Sequence, residues 1–169
     1  MPVIITRTVK TPHGELVAGS IDEKICLCDW RYRRMRQGID RRIQRGFSAT
    51  YNEANSPIID ELEKQLTEYF NEQREVFELP LITIGTDFQE AVWKALMEIP
   101  YGKTETYQKL ADRVGRSSAV RAVAAANGAN AIAIIIPCHR VIGSNNNLGG
   151  YAGGLSLKRR LLRLESRSD

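Results

Sequence analysis

A cysteine and a histidine stand side by side in this chain, at Cys138 and His139. A thiolate is a strong nucleophile, and an imidazole beside it can take the thiol proton, either directly or through a water molecule. The residues just before Pro137, 131–136, are all Ala or Ile. Such a run predicts a short buried strand, and Pro137 should end it in a turn because proline cannot donate to a strand ladder. Taken alone, the dipeptide is more typical of a buried cysteine beside a surface histidine, because such neighbours are common by chance.

The sequence around the pair carries more information. Residues 136–141 read Ile-Pro-Cys-His-Arg-Val, and residues 150–155 read Gly-Tyr-Ala-Gly-Gly-Leu. Together they closely resemble the active-site signature of the O6-alkylguanine-DNA alkyltransferases, also called methylated-DNA–protein-cysteine methyltransferases. The resemblance extends from about Thr86 to Glu165. It implies a DNA-repair protein that flips out O6-alkylguanine and transfers the alkyl group irreversibly to its own cysteine, once per molecule and without a cofactor or metal.

The resemblance also implies a catalytic set: Cys138, His139, Glu165 and Asn130. Cys138 accepts the alkyl group, and His139 takes the thiol proton through a water. Glu165 orients the imidazole and stabilises its cation, although the sequence alone favours a solvated C-terminal glutamate. Asn130 satisfies backbone groups of the turn before the active site. The carbonyls of Cys138 and Val141 are expected to accept hydrogen bonds from the guanine amino group.

Contacts to the base and to DNA are implied in the same way. Tyr107 helps to rotate the target nucleotide, Arg121 fills the gap left in the base stack, and Tyr151 forms a wall of the pocket. The implied set is Tyr107, Arg121, Ala122, Val141, Tyr151, Ala152 and Gly153. Many relatives have Ser at the position of Ala152, so one hydroxyl is lost there, while the backbone N–H can still donate to O6. For Arg121, a contact to a phosphate is the alternative.

Two other functions compete with this interpretation. A non-catalytic relative could flip alkylguanine and recruit repair, but that branch replaces the nucleophile, and Cys138 argues against it. A Cys-His hydrolase that turns over needs an oxyanion site, and no feature of the sequence specifically supports one.

Charge is distributed unevenly along the chain. Residues 1–85 carry 12 Lys+Arg against 13 Asp+Glu, whereas residues 86–169 carry 12 against 7. The stretch from Arg116 to Arg163 has no acidic residue at all. This asymmetry favours a surface that follows phosphates, over a merely solvated basic face. The resemblance implies that the partner is double-stranded DNA bound through its minor groove, and we expect the protein to act as a monomer.

The C-terminal half, 86–169, is predicted to be mostly helical and to position the chemistry. Thr86 or Asp87 caps a first helix, with a capping box. A helix from Tyr107 to Val114 and a second one, capped by Ser117 or Ser118 and running to Asn127, have the layout of a helix-turn-helix. The second helix is rich in alanine, so its backbone can approach a groove closely but offers little for reading bases. A last helix, 157–164, should bring Glu165 toward the active site.

The N-terminal half, 1–85, is predicted to be an α/β domain, and the resemblance implies that its sheet is ribonuclease-H-like. Three strands are expected within the first 30 residues, and Ser56-Pro57 should begin a helix that ends near residue 71. Residues 79–84 should be extended. Arginines crowd the segment from Arg31 to Arg45, where Met35, Ile39 and Ile43 form a thin apolar stripe; we favour a solvated helix over a second DNA contact.

Three cysteines bear on metal binding and on the compartment. Cys26 and Cys28, with His13, lack a fourth ligand for a structural zinc site, so we interpret both cysteines as structural. No signal peptide and no stretch of membrane-spanning length is recognised. Free thiols are typical of a reducing compartment, and we expect a cytoplasmic protein without a membrane partner, or a nuclear one in a eukaryote.

Overall fold

The computed structural model describes residues 2–167 and divides into two compact units, Met1–Ile84 and Gly85–Asp169. The N-terminal unit is an α/β unit, and the C-terminal unit is mostly helical. No helix within the described part of the chain is long and apolar enough to cross a membrane.

A four-stranded sheet forms the N-terminal unit. Its strands are β1 (Val3–Thr11), β2 (Gly14–Ile21), β3 (Lys24–Trp30) and β4 (Thr50–Glu53), in the order β3-β2-β1-β4. The first three strands pair antiparallel, as the short turns between them require, and β4 returns parallel to β1. Side chains of both faces are fully buried, with Ile4 and Leu27 on one face and Leu16 on the other. The three strands predicted for the first 30 residues are confirmed.

Two helices, α1 (Arg36–Gly46) and α2 (Pro57–Phe70), complete this unit. Ser56 caps α2, with its hydroxyl accepting from the Ile59 N–H at 3.3 Å, which confirms the predicted helix start. In the arginine-rich segment, Ile39 and Ile43 are buried but Met35 is 67% exposed and precedes the helix. The predicted stripe of three residues was therefore wrong at its first member.

The structure also describes the residues considered for a metal site and the segment expected to be extended. Cys26 and Cys28 are buried free thiols, and His13 packs edge-to-face on Phe70 with ring centroids 5.4 Å apart. Residues 79–84 are irregular and meet the sheet through a single bridge, Ile25 to Leu81.

The C-terminal unit contains α3 (Asp87–Leu96), α4 (Tyr107–Arg113), α5 (Val120–Gly128) and α6 (Leu155–Ser166). Two short strands, β5 (Glu105–Thr106) and β6 (Val141–Ile142), pair in parallel. Thr86 forms the predicted capping box of α3 with Gln89. The predicted serine cap of α5 is wrong: Ala119 takes that position, with no side-chain cap, because a turn closes from its N–H to the Arg116 carbonyl at 2.8 Å.

The predicted strand over 131–136 is also wrong. This run is buried, as expected, but it folds as a turn in which Ile134 has a φ of 73°. Asn130 stabilises the turn with its side-chain amide, donating to the carbonyls of Ile132 and Ile136 at 3.3 and 2.8 Å and accepting from the Ile132 N–H at 2.9 Å. Backbone groups that a sheet partner would have satisfied are thus paired with a side chain. An apolar run indicates burial, and a nearby amide decided the conformation.

Candidate active site

Cys138 begins a single turn of 3₁₀ helix, Cys138–Arg140, directly after the buried turn. The turn is closed by the Cys138 N–H on the Ile136 carbonyl at 2.8 Å and by the Arg140 N–H on the Pro137 carbonyl at 3.0 Å. Cys138 is only 5% exposed and His139 is fully buried. A continuing strand would have sent their side chains to opposite faces, whereas this turn removes that constraint. The chain therefore turns directly after Pro137, as the sequence predicts, although residues 131–136 before it form a turn instead of a strand.

His139 is fixed by a carboxylate from α6. Its Nε2 lies 2.7 Å from Oε2 of Glu165, and both side chains are buried. Burial lowers the pKa of His139, and it outweighs the nearby carboxylate. We therefore assign a neutral imidazole whose Nε2–H donates to Glu165. The lone pair then resides on Nδ1, which has no hydrogen-bond partner among the described residues. This tautomer leaves Nδ1 ready to take a proton.

Arg140 holds the other side of the same carboxylate. Its Nε donates to Oε1 of Glu165 at 2.8 Å and its Nη2 to Oε2 at 3.1 Å, while its Nη1 donates to the Ile99 carbonyl at 2.7 Å. Burial disfavours ionisation of Glu165, but the hydrogen bonds from His139 and Arg140 and the guanidinium charge outweigh it and lower its pKa to about 2. A bidentate arginine in a buried site both anchors the carboxylate and keeps it charged.

Lys158 is a functional candidate that the sequence interpretation did not single out, since it lies beside Arg159 and Arg160 in the basic stretch that was expected to follow phosphates. It is fully buried, and its Nζ donates to the carbonyls of Val141, Leu148 and Gly150 at 2.6, 2.5 and 3.0 Å. Burial lowers its pKa to about 8, and the negative charge of an ionised Cys138 partly offsets this shift.

Lys158 therefore ties the loop before α6 to the strand that follows the active-site turn. A signal did exist in the sequence: Lys158 lies three residues before Leu161 and seven before Glu165, on the inward face of the helix.

Replacing Lys158 with Met should lower the free energy of unfolding by about 1–3 kcal/mol, because three carbonyls lose their donor. The loop that carries Leu148 and Gly150 should also loosen. Urea unfolding of the variant measures the first effect. The matched control is Arg160→Met on the exposed face of the same helix, which should change stability by less than about 0.5 kcal/mol. Equal losses of unfolding free energy in the two variants would contradict a stabilising role for the hydrogen bonds of Lys158.

Asn127 is a second candidate that was missed. It lies near the end of α5, is 5% exposed, and donates from Nδ2 to the Cys138 carbonyl at 3.4 Å. Its Oδ1 is buried and makes no hydrogen bond within residues 2–167. The sequence signal was weak, because an Asn after a run of alanines usually only ends a helix.

Comparison with known proteins agrees with this geometry. Residues 87–167 match the family model described as 6-O-methylguanine DNA methyltransferase, DNA binding domain. The methylated-DNA–protein-cysteine methyltransferase of Methanosarcina barkeri is 55% identical over 111 residues, which cover 66% of this chain and 70% of that protein. The chain belongs to this methyltransferase family.

Other relatives extend the agreement. The methylated-DNA–protein-cysteine methyltransferase of Mycobacterium bovis is 54% identical over 101 residues, and the alignment spans 60% of this chain and 61% of that relative. The crystal structure of Mycobacterium tuberculosis OGT in complex with DNA superposes with a TM-score of 0.82 at 37% identity, covering 96% of this chain and 93% of that chain. The likeness to the methyltransferase family thus includes the N-terminal unit as well.

In this member of the methyltransferase family, several residues predicted to contact the base lie around the cluster formed by Cys138, His139, Arg140 and Glu165. Tyr107, at the start of α4, is half-buried, and its hydroxyl donates to the Gly150 carbonyl at 3.5 Å. Burial raises its pKa. Tyr151 meets the His139 ring edge-to-face, with centroids 6.5 Å apart. Gly149, at a φ of 70°, passes so close to Tyr107 that a Cβ there would lie 2.8 Å from its ring. The loop and Tyr107 therefore pack tightly beside the turn of Cys138.

The remaining predicted contacts differ in their position and exposure. Ala152 and Gly153 are partly exposed in the segment that leads into α6. Val141 is buried in β6, and its carbonyl already accepts from Lys158. Arg121 and Ala122 lie on the exposed face of α5 and are not brought into the cluster.

Proposed function

We propose that this protein repairs DNA by transferring the alkyl group of O6-alkylguanine to Cys138. The observation that carries the proposal is the buried contact of 2.7 Å between His139 and Glu165, formed next to a cysteine in a chain of the methyltransferase family. A neutral histidine with its lone pair on Nδ1 is the base that a thiol needs.

The reaction balances without a cofactor. His139 takes the Cys138 thiol proton, and the thiolate attacks the alkyl carbon in line with the C–O6 bond. A carbon–sulfur bond forms while the C–O6 bond breaks, and its electron pair leaves with guanine. Guanine gains one proton, so the net change moves the alkyl group to sulfur and the thiol proton to the base. Because the thioether is not cleaved, each molecule reacts once.

Residues of the active-site turn and the loop are proposed to bind the base. Tyr107, Tyr151, Ala152 and Gly153 form the pocket, and the Val141 carbonyl offers its second lone pair to the guanine amino group. The N–H of Ala152 donates to O6. Asn130 belongs to the site as the amide that shapes the turn before Cys138, a role supported by its three hydrogen bonds to that turn.

DNA is proposed to bind at α4 and α5 as a helix-turn-helix that enters the minor groove. The exposed face of α5 presents Ala122 and Ala125, so the backbone can approach DNA closely. Because the reacting atom lies inside the duplex, the nucleotide must be flipped out, at a cost of order a few kcal/mol. The duplex-binding protein acts as a monomer in this proposal.

The division of labour between the two halves is also a proposal. Residues 86–169 bind DNA and accept the alkyl group, and residues 1–85 form a ribonuclease-H-like domain. The strand order β3-β2-β1-β4, with only the last pair parallel, supports that comparison.

Arg121 is expected to matter for duplex DNA and not for free bases. It is exposed and makes no ion pair within the described part of the chain, and a planar guanidinium can fill the gap left by an extruded nucleotide. Arg121→Lys and Arg121→Ala should both slow repair of duplex DNA about tenfold or more, because Lys keeps the charge but is not planar. Single-turnover rates with duplex DNA and with free O6-alkylguanine measure the difference.

The control for this prediction is Arg159→Lys, an exposed arginine of α6, which should leave both rates unchanged. Full duplex activity in Arg121→Lys would assign this side chain to a phosphate instead.

Intact-mass measurement after incubation with duplex DNA containing O6-methylguanine tests the proposal as a whole. We expect one methyl group per chain, located on the peptide that contains Cys138. Tight binding without a mass change would support the non-catalytic damage sensor. Repeated turnover without a stable adduct would support a hydrolase.

A further inference from the structure

Two buried polar atoms near Cys138 make no hydrogen bond within residues 2–167: Nδ1 of His139 and Oδ1 of Asn127. Buried polar groups are nearly always paired with protein or with an ordered water. Both atoms are acceptors, because the Nε2–H of His139 donates to Glu165 and Oδ1 is a carbonyl oxygen. A partner shared by two acceptors must donate to both of them.

The amide of Asn127 has a defined orientation. Only its nitrogen can donate to the Cys138 carbonyl, 3.4 Å away, so its oxygen must point elsewhere. Asn127 comes from α5, whereas His139 follows Cys138 directly in the chain. The segment that carries Cys138 is therefore flanked by side chains from two separate elements, each with an acceptor that is unsatisfied within the described residues.

We propose that Asn127 is a positioning residue for proton transfer, whose Oδ1 holds the water through which Cys138 passes its proton to His139. This inference rests on the proposed alkyl transfer and adds a residue to it. One hydrogen of the water donates to Nδ1 and the other to Oδ1, while its oxygen accepts the thiol hydrogen. Three hydrogen bonds are typical of a buried water.

The proton transfer balances. The S–H bond of Cys138 breaks and its proton passes to the water oxygen, and the same water gives one of its own hydrogens to Nδ1 of His139. A thiolate and an imidazolium result, and the water is regenerated. The bond to Asn127 keeps the water turned so that one hydrogen faces Nδ1 throughout, which is how positioning lowers the barrier to proton transfer.

Other titratable groups surround the site and must be constant in any comparison. Tyr107 from α4 and Lys158 from α6 interact electrostatically with Cys138, and His139, Arg140 and Glu165 interact with one another. From α5, Asn127 is the side chain that contacts the Cys138 backbone, and it is uncharged. Its replacement therefore leaves every one of those charges in place.

The test is Asn127→Leu, which keeps the branching at Cγ and removes both polar atoms. Alkylation of Cys138 by iodoacetamide is followed by mass spectrometry from acid to alkaline pH. We expect the midpoint of the profile to move to higher pH and the rate at neutral pH to fall about five- to tenfold, the usual effect of one lost hydrogen bond.

The matched control is Val123→Ala, which removes buried apolar volume from the same helix. It should lower thermal stability and leave the pH midpoint unchanged. A midpoint in Asn127→Leu equal to that of the unmodified protein would overturn the proposal, and would leave Asn127 as a structural residue of the turn.

A high-resolution crystal structure of the unmodified protein keeps the proposal testable if Asn127→Leu does not fold. It should show a water within about 3 Å of both Nδ1 and Oδ1; density that excludes one there would also overturn it. Methyl transfer from alkylated DNA to the unmodified protein is measured alongside. If the unmodified protein transfers no methyl group, the proposed function itself is wrong. If it transfers the methyl group normally but the pH midpoint of Asn127→Leu is unchanged, only the role of Asn127 is wrong.

Discussion

Replacing Cys138 with Ser is expected to abolish methyl transfer from DNA to the protein. A hydroxyl is far less acidic than a thiol, so His139 cannot generate an equivalent nucleophile at neutral pH. The change is nearly isosteric, and the turn that carries the residue is closed by backbone hydrogen bonds and by Asn130. DNA affinity should therefore stay unchanged. The measurement is intact mass together with a binding titration on the same methylated duplex.

The other two cysteines serve as matched controls. Cys26 and Cys28 are buried in the N-terminal unit, and burial raises the pKa of Cys26 to about 12 and that of Cys28 as well. Neither thiol should ionise at neutral pH, so Cys26→Ala and Cys28→Ala should still accept one methyl group per chain. A methylated Cys138→Ser protein would show that a different residue is the acceptor.

Removing the carboxylate of Glu165 is expected to have the second large effect, on both stability and reactivity. In Glu165→Ala, the buried Arg140 loses its bidentate partner and the His139 Nε2–H loses its acceptor. Leaving a buried charge unpaired costs about 3–5 kcal/mol. Alkylation of Cys138 should slow about a hundredfold or more, because the imidazolium that forms is no longer stabilised. Urea unfolding and single-turnover kinetics measure the two effects.

Glu165→Gln separates charge from shape. It can still accept from the Nε2–H, so its stability loss should be smaller than that of the Ala variant, while alkylation stays slow. Glu98→Gln is the control, since that exposed carboxylate pairs with Arg113 at the surface and should change stability by less than about 1 kcal/mol. Normal alkylation in Glu165→Gln would mean that the carboxylate charge does not assist His139.

The pH dependence of stability gives an independent check on the same residue. The pKa of Glu165 falls from 4.5 to about 2 on folding, so its contribution is fully present above pH 4.5 and is lost as the pH falls toward 2. The shift corresponds to about 3 kcal/mol. Glu165→Gln should lose stability less steeply over this window. Burial lowers the pKa of His139, so its contribution is present above its ordinary value of 6.5 and is lost as the pH falls below it.

Local signals predicted the helix boundaries that depend on neighbouring residues. Ser56 before Pro57 and Thr86 before Gln89 mark helix starts because a cap bonds to backbone only three residues away. The chemistry was indicated by the resemblance of the contiguous string around Cys138 to the alkyltransferase signature, because the adjacent cysteine and histidine alone favoured a buried cysteine. The α/β character of the first half and the helical character of the second followed from the period of their apolar residues.

Local signals of this kind could not predict structure that depends on more distant interactions. Apolar residues 131–136 had to be buried, but hydrophobicity does not distinguish a strand from a turn, and the amide of Asn130 decided between them. Ser117 and Ser118 looked like caps, yet the preceding turn placed Ala119 at the start of α5.

The sequence by itself determined that a cysteine and a histidine stand together in a basic, helical half of the chain. Only the tertiary structure decided which groups act on them. Glu165 is 26 residues from His139 along the chain, and Arg140 clamps it from the opposite side. The sequence suggested a surface lysine at Lys158, whereas in the fold its side chain is buried and donates to three carbonyls. Burial and pairing are properties of the whole fold, because they depend on which elements meet, and local spacing does not determine that.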